Sequence, residues 1–252
     1  MNQLQFFHRR AVIQYPPADQ SADSLGSVEA DDGFRYYVKG DAHGRPVRAS
    51  EWISTHIAEA VGVTSPGAVT MEMLSGEVVF GSRRVPGVAS RIETQAFLTS
   101  PSIGNIGQTL PGLGSLLSKI YALDLVLFND DRHLDNYLSV NDNGVRRLYT
   151  FDFSRALFWH WPWNGYPPPA CNTRLCGGLL RQLHGFDFVA ANSVLDALAA
   201  LGSVSVEGII NQMPADWLSA TLRAEFMDVW TTGVRRSRID GVRKGLSDGS
   251  LL

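Results

Sequence analysis

Short runs of aromatic and β-branched residues, separated by Gly, Pro, Ser and Asp, fill the first third of the chain. Residues 11–15 read as a strand, and 16–32, rich in Pro, Asp, Ser and Gly, as a loop or hairpin. The Asp32-Gly33 turn signal leads into 34–39, FRYYVK, a second strand. After a loop at 40–46, positions 49–61 carry helical spacing. Trp52, Ile53, His56, Ile57 and Ala60 share one face, Ser50 is the expected N-cap and Gly62 the expected stop. Residues 68–74 and 77–80 predict a strand pair about a Ser75-Gly76 turn, and 85–92 a further strand.

The pattern then changes. Residues 101–114 hold four glycines and two prolines and read as a loop. Positions 113–128 are apolar nearly all round, which predicts a buried helix. A polar knot follows, Asn129-Asp130-Asp131-Arg132-His133, and then two short strands, 137–140 and 147–151, about the turn Asn141-Asp142-Asn143-Gly144. A Trp/Pro loop at 159–169 precedes a helical pattern over 177–245, with weak breaks at Gly185, Gly202 and Pro214. The fold class is therefore α+β in two lobes. A small β-rich lobe with one helix spans 1–92, and a larger, mainly helical lobe carrying one hairpin spans 93–252.

Composition narrows the picture. Of 252 residues, 44% are hydrophobic, and the net charge is −3, which excludes wholesale disorder and nucleic-acid binding through bulk charge. The apolar run at 113–128 is broken by Ser115, Ser118, Lys119 and Asp124 and is too short and polar to span a bilayer. Residues 1–15 lack the basic-then-apolar order of a secretory signal. Cys171 and Cys176 make neither a disulfide framework nor a four-ligand zinc site. A soluble, cytoplasmic protein with reduced thiols is the expectation. Only three of the 22 basic residues are lysines, Lys39, Lys119 and Lys244, so each lysine is a rare choice.

The stretch FNDDRHLDNYLSV-NDNG-VRRLYTFDFSRA, residues 128–156, carries the chemistry. Asp131 lies in the loop after the buried helix, Asn136 at the entry to the hairpin and Asp152 at its exit. A hairpin brings its two open ends together, so Asn136 and Asp152 can share a hard cation such as Mg²⁺, which takes one or two protein oxygens plus phosphates. Asp131 stands nearby as a general base, and Lys39 ends a strand from which a compact ammonium can reach the α- and β-phosphates. These are the parts phosphoryl transfer requires. Taken singly, each of Asp131, Asn136 and Asp152 also fits a local cap, and Lys39 an exposed strand-end charge.

The D-x-H-x-x-N motif at 131–136, followed after a hairpin by D-F-S at 152–154, resembles the HipA-like kinases, atypical bacterial Ser/Thr kinases that include toxins of toxin–antitoxin systems. The Asp-Arg-His order is also similar to phosphatidylinositol-type kinases. DGFRYYVKG, ASEWISTHIAEAVGVTSP and ALDLVLFNDDRHLDN extend the likeness over about residues 31–158. The resemblance implies a protein-kinase-like fold using ATP and Mg²⁺. It implies Asp131 as catalytic base, Asn136 and Asp152 as metal ligands, and Lys39 as phosphate anchor with Phe153 packed behind the metal Asp. His133 follows the Asp, where ordinary protein kinases place a His before it, and Ser154 replaces the glycine of D-F-G.

Glu51 matches the position of the helix glutamate that pairs with the lysine, although on an ideal wheel it points away from the Trp52/Ile53/Ile57 face and Glu59 lies nearer that face's flank. Asp124, inside the apolar helix, must find a partner unless its face is exposed, and is expected to brace the catalytic loop. The chain has no G-x-G-x-x-G. Ser24-Leu25-Gly26-Ser27 is the best candidate for a phosphate-covering loop, with Ser27 as an autophosphorylation site by resemblance. Main-chain groups at 89–92, beside Arg91 and Glu93, would then meet adenine. The basic residues Arg235, Arg236, Arg238, Arg243 and Lys244 read as a solvated helix face or as a surface for an acidic partner or RNA. The expected activity is a Mg·ATP-dependent protein Ser/Thr kinase with a protein substrate and a separate antitoxin or regulator. A small-molecule phosphotransferase and a catalytically inactive binding module are the alternatives.

Overall fold

The computed structural model describes residues 8–17, 23–101, 112–142 and 145–252. Five strands close a small barrel in the order β1-β2-β3-β5-β4: β1 (Arg9–Tyr15), β2 (Ser24–Ala30), β3 (Arg35–Lys39), β4 (Ala68–Glu72) and β5 (Val78–Arg83). Neighbours are antiparallel except β1 and β4, which meet in parallel at Arg9 and Arg10. Alternate residues from these strands, among them Val28, Tyr36, Val38, Met71 and Val79, fill the barrel's own core.

The stretch expected to cover the phosphates is instead β2, a central strand, and Ser27 sits in it opposite Tyr15 and Tyr37. Its polar composition hid the strand. Its pairing on both edges, and not its propensity, makes it one. A bulge at Gly26 turns the strand end, with φ at +97° and the Tyr15 carbonyl oxygen 2.1 Å from where a Cβ would stand.

Helix α1 (Val47–Ala60) bridges the lobes. Pro46, not Ser50, precedes its first turn, and Gly62 in the left-handed region follows its end. It packs against β4 and β5 on one side and against the helical lobe on the other. Ala49, Trp52, Ile53, Ile57 and Ala58 accordingly belong to the large core of the second lobe, not to the barrel core.

The strand expected at 85–92 is a connecting segment, joined to the hairpin by an isolated bridge between Val88 and Val140, and it runs into helix α2 (Arg91–Thr99). The reason is a capping box: Ser90 Oγ accepts from the Glu93 amide at 3.2 Å, and Glu93 Oε2 from the Ser90 amide at 2.8 Å. Most of the loop expected at 101–114 lies outside the described residues. The buried helix is α3 (Leu113–Val126), and the hairpin is β6 (Tyr137–Asp142) with β7 (Val145–Thr150), in register Tyr137 to Thr150. The tip of its turn, residues 143–144, is also outside the described residues.

The rest is helical: α4 (Asn172–His184), α5 (Phe188–Ala200), α6 (Ser203–Asn211), α7 (Ala220–Thr231) and α8 (Gly233–Ser247). The basic residues of α8 are largely internal fittings. Arg238 donates to the Leu125 and Val126 carbonyls at the end of α3, and Arg235 to those of Ala199 and Leu201 at the end of α5. Arg243 holds Asn192 and Asp196. Cations at helix C-termini satisfy orphan carbonyls and oppose the dipole. Among the described residues no single helix is long and apolar enough to cross a membrane.

Candidate active site

Three segments distant in sequence converge on the Lys39 ammonium. The nitrogen lies 2.7 Å from Glu51 Oε1 on α1, 2.7 Å from Asp152 Oδ1 after the hairpin, and 3.2 Å from Asp23 Oδ2 just before β2. The Lys39–Glu51 pair thus forms, against the helical-wheel expectation. That expectation assumes one buried face, but α1 lies between two lobes and buries residues from Ser50 to Thr55 without a break. Glu59 is exposed instead. Glu51 also accepts the Phe153 amide, which ties the helix to the segment after the hairpin.

Burial is the largest influence on Lys39 and would lower its pKa. The charges of Asp152, Glu51 and Asp23 outweigh burial and hold it well above the ordinary lysine range. Burial likewise opposes ionisation of Asp152, yet Lys39 and a Ser154 hydroxyl at 2.7 Å hold that carboxyl well below the usual range. Asp152 has φ at +63°, a strained conformation for a residue with a Cβ, at the sharp bend where the chain leaves β7.

Three carboxylate oxygens within 4.8 Å of one another, from Asp23, Glu51 and Asp152, form a set that could hold a metal. The ammonium of Lys39 already contacts all three and takes that cation's place. A second group of oxygen donors lies at the hairpin's open end. The Phe151 amide donates to the Asn136 carbonyl at 3.2 Å, which puts Asn136 across from the residue before Asp152. Lys39 and both Ser154 donors use the same oxygen of Asp152, Oδ1, which leaves Oδ2 for a cation. Asn136 is buried, and its side-chain oxygen takes the His133 amide at 3.0 Å, keeping one lone pair. A carboxylate and an amide oxygen fit a hard divalent cation.

Asp131 lies in the loop after α3. Its amide donates to Asn129 Oδ1 at 3.3 Å, and its Oδ1 accepts from Asn172 Nδ2 at 2.5 Å. Asn172 was not legible as a site residue, since it opens α4 some forty positions on. Thr173 beside it locks the same loop: its hydroxyl donates to the Asn129 carbonyl at 2.7 Å and accepts the Arg132 amide at 2.8 Å.

Asp124 braces the loop as expected. Its carboxylate takes Arg132 Nε and Nη2, each at 2.9 Å, and Asn129 Nδ2 at 2.8 Å. The remaining Arg132 nitrogen donates to the carbonyls of Asn136 and Phe151. At the connection between lobes, the Ala89 amide is engaged by the Ser139 carbonyl and the Ser90 amide by Glu93. Neither of these two groups is available to adenine as expected. Arg91 forms a two-pronged pair with Asp135 at 2.6 Å on each arm, fastening α2 to the loop between α3 and the hairpin.

The architecture is that of a two-lobed, kinase-like fold, a β-barrel lobe with one helix over a mostly helical lobe. The chain superposes on a proinflammatory kinase of Helicobacter pylori, CtkA, with a TM-score of 0.54 and 12% identity, covering 94% of this chain and 97% of that one. It is also similar to HipA from the Shewanella oneidensis HipA–HipB toxin–antitoxin complex with operator DNA. There the TM-score is 0.52 at 12% identity, over 92% of this chain and 68% of that one. No protein-family model matches the chain, and no curated protein matches its sequence.

Proposed function

We propose that this chain is a Mg·ATP-dependent phosphotransferase of the HipA-like kind, acting on a serine or threonine hydroxyl of a protein. One observation carries the reading: Lys39, Glu51 and Asp152, from the small lobe, the bridging helix and the end of the hairpin, meet within hydrogen-bond distance. Local capping does not place a lysine between a buried Glu51 and a half-buried Asp152 from segments so far apart in the sequence. Glu51 positions Lys39, and Lys39 anchors the nucleotide phosphates. Asp152 and Asn136 hold the metal, which when bound neutralises phosphate charge. Asp131, oriented by Asn172, accepts the proton of the acceptor hydroxyl. Ser27 is retained as a phosphate-proximal residue and modification site, now carried by a strand. A separate protein regulator is proposed from the resemblance to a toxin that is held in complex with its antitoxin.

The test is transfer of labelled γ-phosphate from Mg·ATP in a cell lysate by the wild type and by Asp131→Ala. Label on a few protein bands from the wild type alone supports a protein kinase. ATP consumption without protein label points to a small-molecule acceptor. No nucleotide binding by a folded wild type refutes the reading.

A further inference from the structure

Resting on that reading, we propose that Asp23 is a specificity residue of the phosphate site: its carboxylate competes with phosphate for Lys39 and makes nucleotide binding conditional on a divalent cation.

The contact is built by the backbone. The Gly40 amide donates to the Asp23 carbonyl at 2.9 Å, and the next residue, Ser24, is in register with Lys39. Asp23 is therefore pinned alongside the strand end that carries the lysine. Both side chains are largely out of solvent, 13% exposed for Asp23 and 17% for Lys39, so the 3.2 Å pair is weakly screened.

An ammonium has three donors. Here Glu51, Asp152 and Asp23 present one carboxylate oxygen each. The ammonium donates to Glu51 and Asp152 at 2.7 Å each, whereas its contact with Asp23 is a longer ion pair at 3.2 Å. A phosphate oxygen that reaches Lys39 must take over the place held by Asp23. Charge adds to the geometry. The Asp23 carboxylate adds negative charge beside the phosphate position, which repels a bare triphosphate more strongly than a metal-bound one. Converting Asp23 to an amide keeps the shape and removes one negative charge beside the phosphate position.

The experiment is calorimetric titration of wild type, Asp23→Asn and Asp23→Ser with ATP, once with Mg²⁺ and once with a chelator. Thermal melting confirms that each protein is folded. Both variants are expected to bind Mg·ATP about tenfold or more tightly than wild type, and to gain measurable affinity for metal-free ATP. Unchanged affinities overturn the proposal. Weakened binding of Mg·ATP also overturns it, because Asp23 would then be holding the metal. In both cases the phosphotransferase reading stands. If none of the three folded proteins binds nucleotide with Mg²⁺, that reading fails and the role of Asp23 falls with it.

Discussion

Arg132 and Asp124 form a two-pronged ion pair with both nitrogen–oxygen distances at 2.9 Å, and they are 2% and 0% exposed. Two charges lose their hydration here, so the pair earns its place by what it joins. Through Asn129 it ends α3, and through the carbonyls of Asn136 and Phe151 it holds the hairpin's open end. Those two carbonyls belong to one proposed metal ligand and to the residue before the other. Removing one partner strands a buried charge at a cost of roughly 3–5 kcal/mol. Asp124→Asn and Arg132→Met are each expected to lose about that much in denaturant unfolding, and phosphotransfer with it. Arg132→Lys keeps the charge but loses the fork, and should fall between them and wild type. Stability within about 1 kcal/mol of wild type in all three would refute the bracing role.

Lys39→Met leaves three carboxylates facing one another without their cation. The expected result is loss of Mg·ATP binding by about tenfold or more, together with a lower melting temperature. Glu51→Gln leaves Lys39 paired with Asp152 and Asp23, so its loss should be smaller and greater in kcat than in nucleotide affinity. The pH dependence carries a sign. Asp152 ionises more readily folded than unfolded, so it stabilises the fold above the unfolded carboxylate range of about 4 and loses this contribution as pH falls below it. Lys39→Met should flatten that acid limb in urea titrations. An acid limb identical in wild type and variant would contradict the coupling.

Asn172, at the start of α4, donates its side-chain amide to Asp131 Oδ1 at 2.5 Å and so fixes the carboxylate that is proposed as the base. One hydrogen bond of this kind is worth about 1 kcal/mol, or roughly fivefold in rate. Asn172→Ala should lower kcat by about that factor with the KM for Mg·ATP unchanged, and Asn172→Ser should recover part of it. A rise in KM for ATP with constant kcat would mean that Asn172 serves nucleotide binding instead.

Much of this was legible in the chain. The placement of Asn136 across from the residue before Asp152 could be read because the hairpin is a local element whose two ends meet. Lys39 stood out by the scarcity of lysine. What could not be read depends on distant packing. Glu51 looks misdirected on an isolated helix and is right only because a second lobe covers the other side of α1. Strand β2 is polar and becomes a strand by pairing on both edges. Arg235 and Arg238 look like a basic surface until the ends of α5 and α3 arrive beneath them. Helix α2 is a different case, since Ser90-x-x-Glu93 was a readable start signal and the apolar residues before it masked it.

Among the buried acids of the helical lobe, Tyr121 and Cys176 make the protein sensitive to alkali. The Tyr121 hydroxyl on α3 donates to the Leu251 carbonyl at 2.6 Å, and burial pushes its pKa up to about 12. Burial pushes the Cys176 thiol on α4 up to about 11. Their ordinary values are 10.0 and 9.0. In the unfolded chain both lose their protons first, so the unfolded state binds fewer protons and stability falls as pH rises. Each contribution is intact below its unfolded value, declines from there to its folded value, and is gone beyond it. A shift of two units corresponds to about 2–3 kcal/mol for each group. Denaturant unfolding from about pH 8 to pH 12 should therefore show a decline beginning near 9. Cys176→Ala should remove the part between 9.0 and about 11, and Tyr121→Phe the part between 10.0 and about 12. If the Cys176→Ala and wild-type curves stay parallel through that interval, the thiol is not protonated by burial, and the packing of α4 against α3 is looser than the structure shows.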